Sequence, residues 1–215
     1  MSASIGDPHE YARTLGIKNY GHLSLPSVFP IENRQVHLVQ LPGMNSSNKD
    51  EVLPVYLNVV NKLMDKFPND RGIIHCVSFE LGEAIYKACN RGNRIYLHRR
   101  GETLDVEDFV SRGSNKIIVS PSSTEGIDLP DELSRFQIVF KLPFPYLGDP
   151  WIRAKMDLIP GWYERVTMNA LLQACGRSIR HANDYAHTFI IDGSMMRFTN
   201  SSNLPQYFRD AIKVL

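Results

Sequence analysis

Short apolar runs alternate with helix-patterned stretches along this chain. Val36 to Leu41, Gly72 to Val77, Ile95 to Leu97, Lys116 to Val119, Phe136 to Leu142 and His187 to Asp192 are brief and rich in apolar, mostly β-branched residues, which predicts strands. Between them Asp50 to Phe67 predicts an amphipathic helix, and Glu80 to Asn90, Val106 to Ser111 and Trp162 to Arg180 predict further helices. Leu204 to Val214 predicts a closing helix. Near the start, Asp7-Pro8-x-Glu10 supplies an N-cap, a proline at the first helical position and an acidic third residue, opening a helix through about Leu15. Strand and helix alternate, so the expected fold is α/β, a parallel sheet with helices on both faces.

Composition narrows this picture modestly. With 215 residues and 43% hydrophobic content the chain can bury one substantial core, and nothing reads as a signal peptide or a membrane span. There is no internal repeat and no low-complexity tract; the loops Gly43 to Lys49 and Thr199 to Leu204 are the expected mobile segments. A net charge of +1 means that a nucleic-acid partner would have to be met by a local patch. The run Arg91, Arg94, His98, Arg99, Arg100, with Arg112 and Lys116, is one candidate, and a surface patch without function is the equal alternative. Cys76, Cys89 and Cys175 lack metal-ligand spacing and read as reduced core thiols of an intracellular protein, in cytoplasm, nucleoid or nucleus. His75 reads as a buried strand residue and no metal is expected on this chain. Tyr146, Trp151, Trp162 and Tyr163 offer rings for stacking on bases, with core packing as the commoner use.

The sharpest chemistry lies in Gln173-Ala174-Cys175-Gly176-Arg177-Ser178-Ile179-Arg180. In a helix, Gln173, Arg177 and Arg180 fall at i, i+4 and i+7, so an amide and two guanidinium groups share one face suited to an anion, with Ile179 toward the core. Gly176, unfavourable inside a helix, suggests a close approach to the backbone. A solvated basic stripe is the plain alternative. Upstream, Ser120-Pro121-Ser122-Ser123-Thr124-Glu125-Gly126-Ile127-Asp128-Leu129-Pro130 follows an apolar run and reads as a loop at the carboxyl end of a parallel strand, where ligands bind. Its small hydroxyl residues and Gly126 let a phosphate come close, and Asp128 supplies a fixed acceptor. No G-x-x-x-x-G-K-[ST] phosphate loop and no D-E-x-H acidic motif occurs.

These segments resemble, in order, the motifs of the XPD/DinG branch of superfamily 2 helicases. QACGRSIRHANDY, Gln173 to Tyr185, is similar to motif VI, including its Asp184-Tyr185 pair, and Ser120 to Pro130 to motif V. Ser78-Phe79, after the Gly72 strand, resembles motif IV; Ser2-Ala3-Ser4 resembles motif III; Ser27 to Arg34 resembles the segment that introduces the second motor domain. Lys141-Leu142-Pro143-Phe144-Pro145, then Asp149-Pro150 and the helix-prone Trp151 to Asp157, matches a further segment of the branch, able to touch DNA or the first motor domain. The resemblance implies a RecA-like second motor domain over residues 35–215, preceded in 1–34 by the tail of the first motor domain and a linker. It implies that Arg177 and Arg180 reach the γ-phosphate of ATP as arginine fingers, that Gln173 positions nucleotide or attacking water, and that Glu125, Gly126 and Asp128 lie at the nucleotide. Ser78, Phe79, Ser123 and Thr124 would contact single-stranded DNA, and Ser2, Ala3 and Ser4 would couple nucleotide state to movement. ATP and Mg²⁺ would be held mainly by a first motor domain in cis or trans, which would also carry the branch's iron–sulfur ligands. DNA translocation would run 5′ to 3′, and this chain alone would be inactive. The alternatives are a non-catalytic RecA-like module that binds nucleic acid or protein, and half of an RNA helicase.

Overall fold

The computed structural model describes residues 7–121, 127–201 and 203–215. The apolar runs pair into one sheet of seven strands: β1 (Val36–Leu38), β2 (Gly72–His75), β3 (Ile95–Leu97), β4 (Ile117–Ser120), β5 (Phe136–Val139), β6 (His187–Ile190) and β7 (Ile212–Val214). Their spatial order is β3-β4-β2-β5-β6-β1-β7, and every pairing is parallel. α1 (Pro8–Thr14) precedes the sheet; parallel neighbours require crossovers, and the later helices supply most of them: α2 (Lys49–Lys66), α3 (Phe79–Cys89), α4 (Val106–Ser111), α5 (Pro150–Leu158), α6 (Trp162–Cys175) and α7 (Gln206–Asp210). Between β4 and β5 the described residues form only the 3-10 turn Asp131–Leu133.

The pleat sorts side chains onto two faces. On one, Ile74, Val119, Ile138 and Phe189 pack under α2 and α3, against Tyr56, Val60, Leu63, Leu81 and Ile85. The other face has two apolar ends. Ile73 and Ile118 meet Phe109 of α4 together with Ile127 and Leu129, while Val36, Leu38, Val139 and Ile190 meet Met168, Leu171 and Leu172 of α6 and Phe208 of α7. Each fully buried aliphatic or aromatic side chain contributes about 1.5–3 kcal/mol. Between these ends the register sets a polar row in which Ile73 is opposite Gln137 and Gln137 opposite Thr188, with His75 two residues farther along β2.

The helix at the amino terminus forms as its cap predicts: the Asp7 carboxylate accepts the amides of His9 (2.8 Å) and Glu10 (3.1 Å). Two expectations need correction. The helix read through Arg180 stops at Cys175, with Gly176 as its C-cap, so Arg177 and Arg180 are not on a helical face with Gln173. The closing helix read over Leu204 to Val214 is the short α7 followed by a strand. In the second case the alternation Ile212-Lys213-Val214 finds the free edge of β1, pairing Val36 with Ile212 and Leu38 with Val214.

Candidate nucleotide and nucleic-acid site

Beyond Gly176 the chain is held by hydrogen bonds instead of helical ones. The Arg177 carbonyl accepts the amide of Leu129 at 3.3 Å, and Arg177 Nη1 donates to the Ile127 carbonyl at 3.2 Å, so the end of the Ser120–Pro130 loop is laced to the arginine segment. Arg180 Nε forms an ion pair with Asp128. Ser178, fully buried, shares a 2.7 Å hydroxyl contact with Ser134, and Ile179 is only partly buried, so Ser178 and not Ile179 anchors the segment inward.

Asp184 is the fixed point of this lacing. Its buried carboxylate accepts the amides of Arg180 (3.0 Å) and Asp131 (3.3 Å) and pairs with Arg135 at 2.9 Å, while that guanidinium lies 4.3 Å from the Tyr185 ring centroid. His181 Nε2 lies 3.0 Å from the Asp131 carboxylate. Side-chain atoms of Asp131, His181 and Asp184 lie within 4.8 Å of one another, but Arg135 and three amides, of Asp131, Arg180 and Tyr185, already engage the Asp184 oxygens, so the group is an ion-pair network in its own right. Sequence reading noted Asp184-Tyr185 without a role and passed over Arg135, whose partner lies 49 residues away.

Beneath Arg177 runs the polar row. Gln137 Nε2 donates to the Cys175 carbonyl and to Thr188 Oγ1, both at 2.8 Å, and Gln137 Oε1 lies 3.4 Å from His75 Nε2. Burial, the partial bond to Gln137 notwithstanding, pushes the His75 imidazole down to about 4, with the charge of Arg177 acting in the same direction. Among the described residues, His75 Nδ1 and Arg177 Nε are buried without a hydrogen-bond partner. A cleft of about 860 Å³ adjoins Arg177, lined by Gln173, Arg177, Arg180, Thr188, Arg34 and the segment Leu25 to Phe29. An orphaned guanidinium donor, with a second arginine and an exposed glutamine at the same rim, fits an anion entering that cleft.

The Ser78-Phe79 site forms separately. Val77 takes φ +61°, a left-handed conformation that costs a β-branched residue about 1–3 kcal/mol and turns β2 sharply into α3. Ser78 then caps α3, its Oγ accepting the Leu81 amide at 3.2 Å, and Phe79 meets His98 edge to face with centroids 5.9 Å apart. Neither residue touches the arginine segment through any of these contacts. Ser2, Ala3, Ser4, Ser123, Thr124, Glu125 and Gly126 lie outside the described residues. Of the four aromatics, Tyr146 and Trp151 are exposed, while Trp162 packs edge to face on Trp151 and Tyr163 donates to the Pro145 carbonyl at 2.9 Å.

Residues 62–211 match the family model described as Helicase C-terminal domain. The chain belongs to the helicase C-terminal domain family. This helicase C-terminal domain is 29% identical, over 60% of its length, to the ATP-dependent DNA helicase chl-1 of Caenorhabditis elegans, of which it covers 18%. Over 91% of its length it is 24% identical to the ATP-dependent DNA helicase CHL1 of Saccharomyces cerevisiae, of which it covers 27%. It thus spans between 18% and 27% of the length of these curated relatives. A solved XPD helicase structure shares its fold over 84% of this chain and 35% of that one, with a TM-score of 0.64 at 16% identity. Together these make the chain a C-terminal RecA-like domain of the XPD/DinG type. Among the described residues no helix is long and apolar enough to cross a membrane.

Proposed function

We propose that this domain is the second motor of an ATP-dependent DNA helicase or translocase, residues 35–215 forming the RecA-like unit and 1–34 the tail of a first motor domain with its linker. The first motor domain would hold ATP and Mg²⁺, and Arg177 and Arg180 would reach the γ-phosphate across the cleft, with Gln173 positioning nucleotide or attacking water. The observation that carries this reading is the joining of the Arg177–Arg180 segment to the tail of the Ser120–Pro130 loop at the cleft rim, through Ile127, Asp128 and Leu129. A guanidinium fork placed where charge develops on a transferred phosphoryl group stabilises it electrostatically, and a loop tied to that fork gives nucleic acid on one side a route to chemistry on the other. Asp128 is therefore a holding partner that Arg180 leaves when a phosphate arrives. Single-stranded DNA is the partner expected along Ser78 and the Ser120–Pro130 loop.

The test is DNA-stimulated ATP turnover by a protein that carries both motor domains. Arg180→Ala is expected to lower turnover about 10³-fold or more while DNA binding persists, and Arg180→Lys to rescue it poorly, because a point charge cannot replace the planar fork. The 215-residue chain alone is expected to show negligible turnover. Near-normal turnover in both variants would end the catalytic assignment.

A further inference from the structure

The basic run between Arg91 and Lys116 separates, residue by residue, into cations with structural duties and one without. Arg94 donates to the carbonyls of Phe67 (2.7 Å), Met64 (2.8 Å), Asn115 (3.0 Å) and Asp70 (3.2 Å). Lys116 donates to the Asn93 carbonyl at 2.5 Å. Arg112 pairs with Asp108 at 2.9 Å, Arg91 with Asp65 at 3.6 Å and Arg99 with Glu83 at 3.7 Å. Arg100 alone in the run meets neither carboxylate nor carbonyl among the described residues; its guanidinium carbon lies 5.1 Å from the centroid of the Phe79 ring, and the residue is exposed.

The backbone that carries Arg100 is held in a tight turn closed by the Glu102 amide on the Arg99 carbonyl at 3.2 Å, with Gly101 at φ +83°, a value glycine adopts without strain. The ring beneath Arg100 is braced in turn. Phe79 is half-buried at the start of α3 and rests against His98, whose nitrogens are both occupied, Nδ1 by Ser120 Oγ at 2.9 Å and Nε2 by the Glu102 carbonyl at 3.0 Å. Phe79, expected from the sequence to face a bound strand, has Arg100 over its ring.

We propose that Arg100, backed by Phe79, is a base-stacking platform for single-stranded nucleic acid at the carboxyl ends of β2, β3 and β4. The proposal rests on the helicase reading above and adds a contact that reads the base and not the phosphate. A guanidinium supported by a ring offers a flat cationic surface on which an unpaired base stacks, and the turn fixes the backbone that carries it. The charge inventory favours this over a phosphate track. Arg99 is paired, Lys49 is spent on Glu80 at 2.5 Å, and Glu102 stands beside the turn, so the surroundings do not attract anions strongly. The same acids disfavour an acidic peptide as the occupant.

Fluorescence anisotropy of the 215-residue chain at low salt, with a single-stranded oligothymidine and an abasic oligomer of equal length, tests the proposal. The wild type is expected to prefer the oligomer with bases. Arg100→Ala should weaken oligothymidine binding about tenfold, the worth of roughly one stacked base, and erase the preference while changing abasic binding little. Arg100→Lys should keep the salt dependence and still lose most of the preference. Circular dichroism and an unchanged melting temperature confirm the fold, as expected for an exposed side chain. Equal losses on both oligomers would make Arg100 a phosphate contact and overturn the platform; so would wild-type binding by Arg100→Ala, or equal affinity for polyglutamate. If the wild type bound neither oligomer, the nucleic-acid reading itself would fall together with this one.

Discussion

His75 is a titratable ring sealed inside the sheet, with one nitrogen near Gln137 and the other unpaired. Its folded-state value of about 4 lies below the ordinary 6.5 because burial penalises the charged form. The unfolded chain therefore binds a proton that the folded chain refuses between those two values, so stability is complete above pH 6.5 and drains away as pH falls toward 4, by on the order of 3 kcal/mol in all. His37 and His187, both lowered chiefly by burial, push in the same direction. Urea unfolding across this range should show a steep loss for the wild type and a shallower one for His75→Gln; identical slopes would show that His75 does not carry the effect. At this scale the sequence pointed to Gln173, Arg177, Arg180 and Asp128 by residue type; the structure brings Arg180 to Asp128, while the helical spacing read for Gln173, Arg177 and Arg180 does not hold. The sequence did not expose Asp184 and Arg135 as the network that fixes the Arg180 amide, because a buried ion pair between residues 49 apart leaves no local pattern.

Arg94 shows how a single side chain can finish a helix. At the end of α2 the carbonyl of Met64 receives only the cap amide of Phe67 at 3.3 Å, and the Arg94 fork adds donors to it and to the carbonyl of the cap residue Phe67, along with Asp70 in the turn that follows and Asn115 before β4. Arg94→Lys keeps the charge but cannot reach four carbonyls, so it is expected to cost about 2–4 kcal/mol, with exchange protection lost first at the end of α2. A urea midpoint equal to the wild type would count against this role. Element boundaries were legible where the apolar period was strong, as in α2, α3, β3 and α4. They failed where a distant partner decided the matter. The amphipathic pattern of α6 continues into Arg177 and Arg180, yet Gly176 ends the helix, and Leu129, Ser134 and Asp184 capture the backbone and hydroxyl groups that a longer helix would have used.

Across the whole molecule, the two candidate sites lie on different parts of one sheet. The end of α6 before the arginine segment meets β5 through Gln137, and the cleft reaches Val36 of β1 and Thr188 of β6, while the Phe79–Arg100 stack lies at the ends of β2, β3 and β4; Ser120, at the end of β4, touches His98 on one side and opens the loop whose far end holds Arg177 and Arg180 on the other. The alternating pattern made the sheet legible as a class, but the strand order was not, since nothing in a strand's own residues names its neighbours. That order also places β7 at the rim of the sheet. An edge strand offers its outward amides and carbonyls to any other extended chain, and here Val214 and Leu215 beside it remain about half exposed. What blunts the invitation is brevity and the charge of Lys213 at the centre of a three-residue strand. In colloidal terms, Lys213 acts as a gatekeeper, setting how concentrated this protein can become before copies join edge to edge. Lys213→Val should fold normally yet develop turbidity sooner and at lower concentration than the wild type, whereas matching light-scattering traces would show the edge to be protected by its shortness alone.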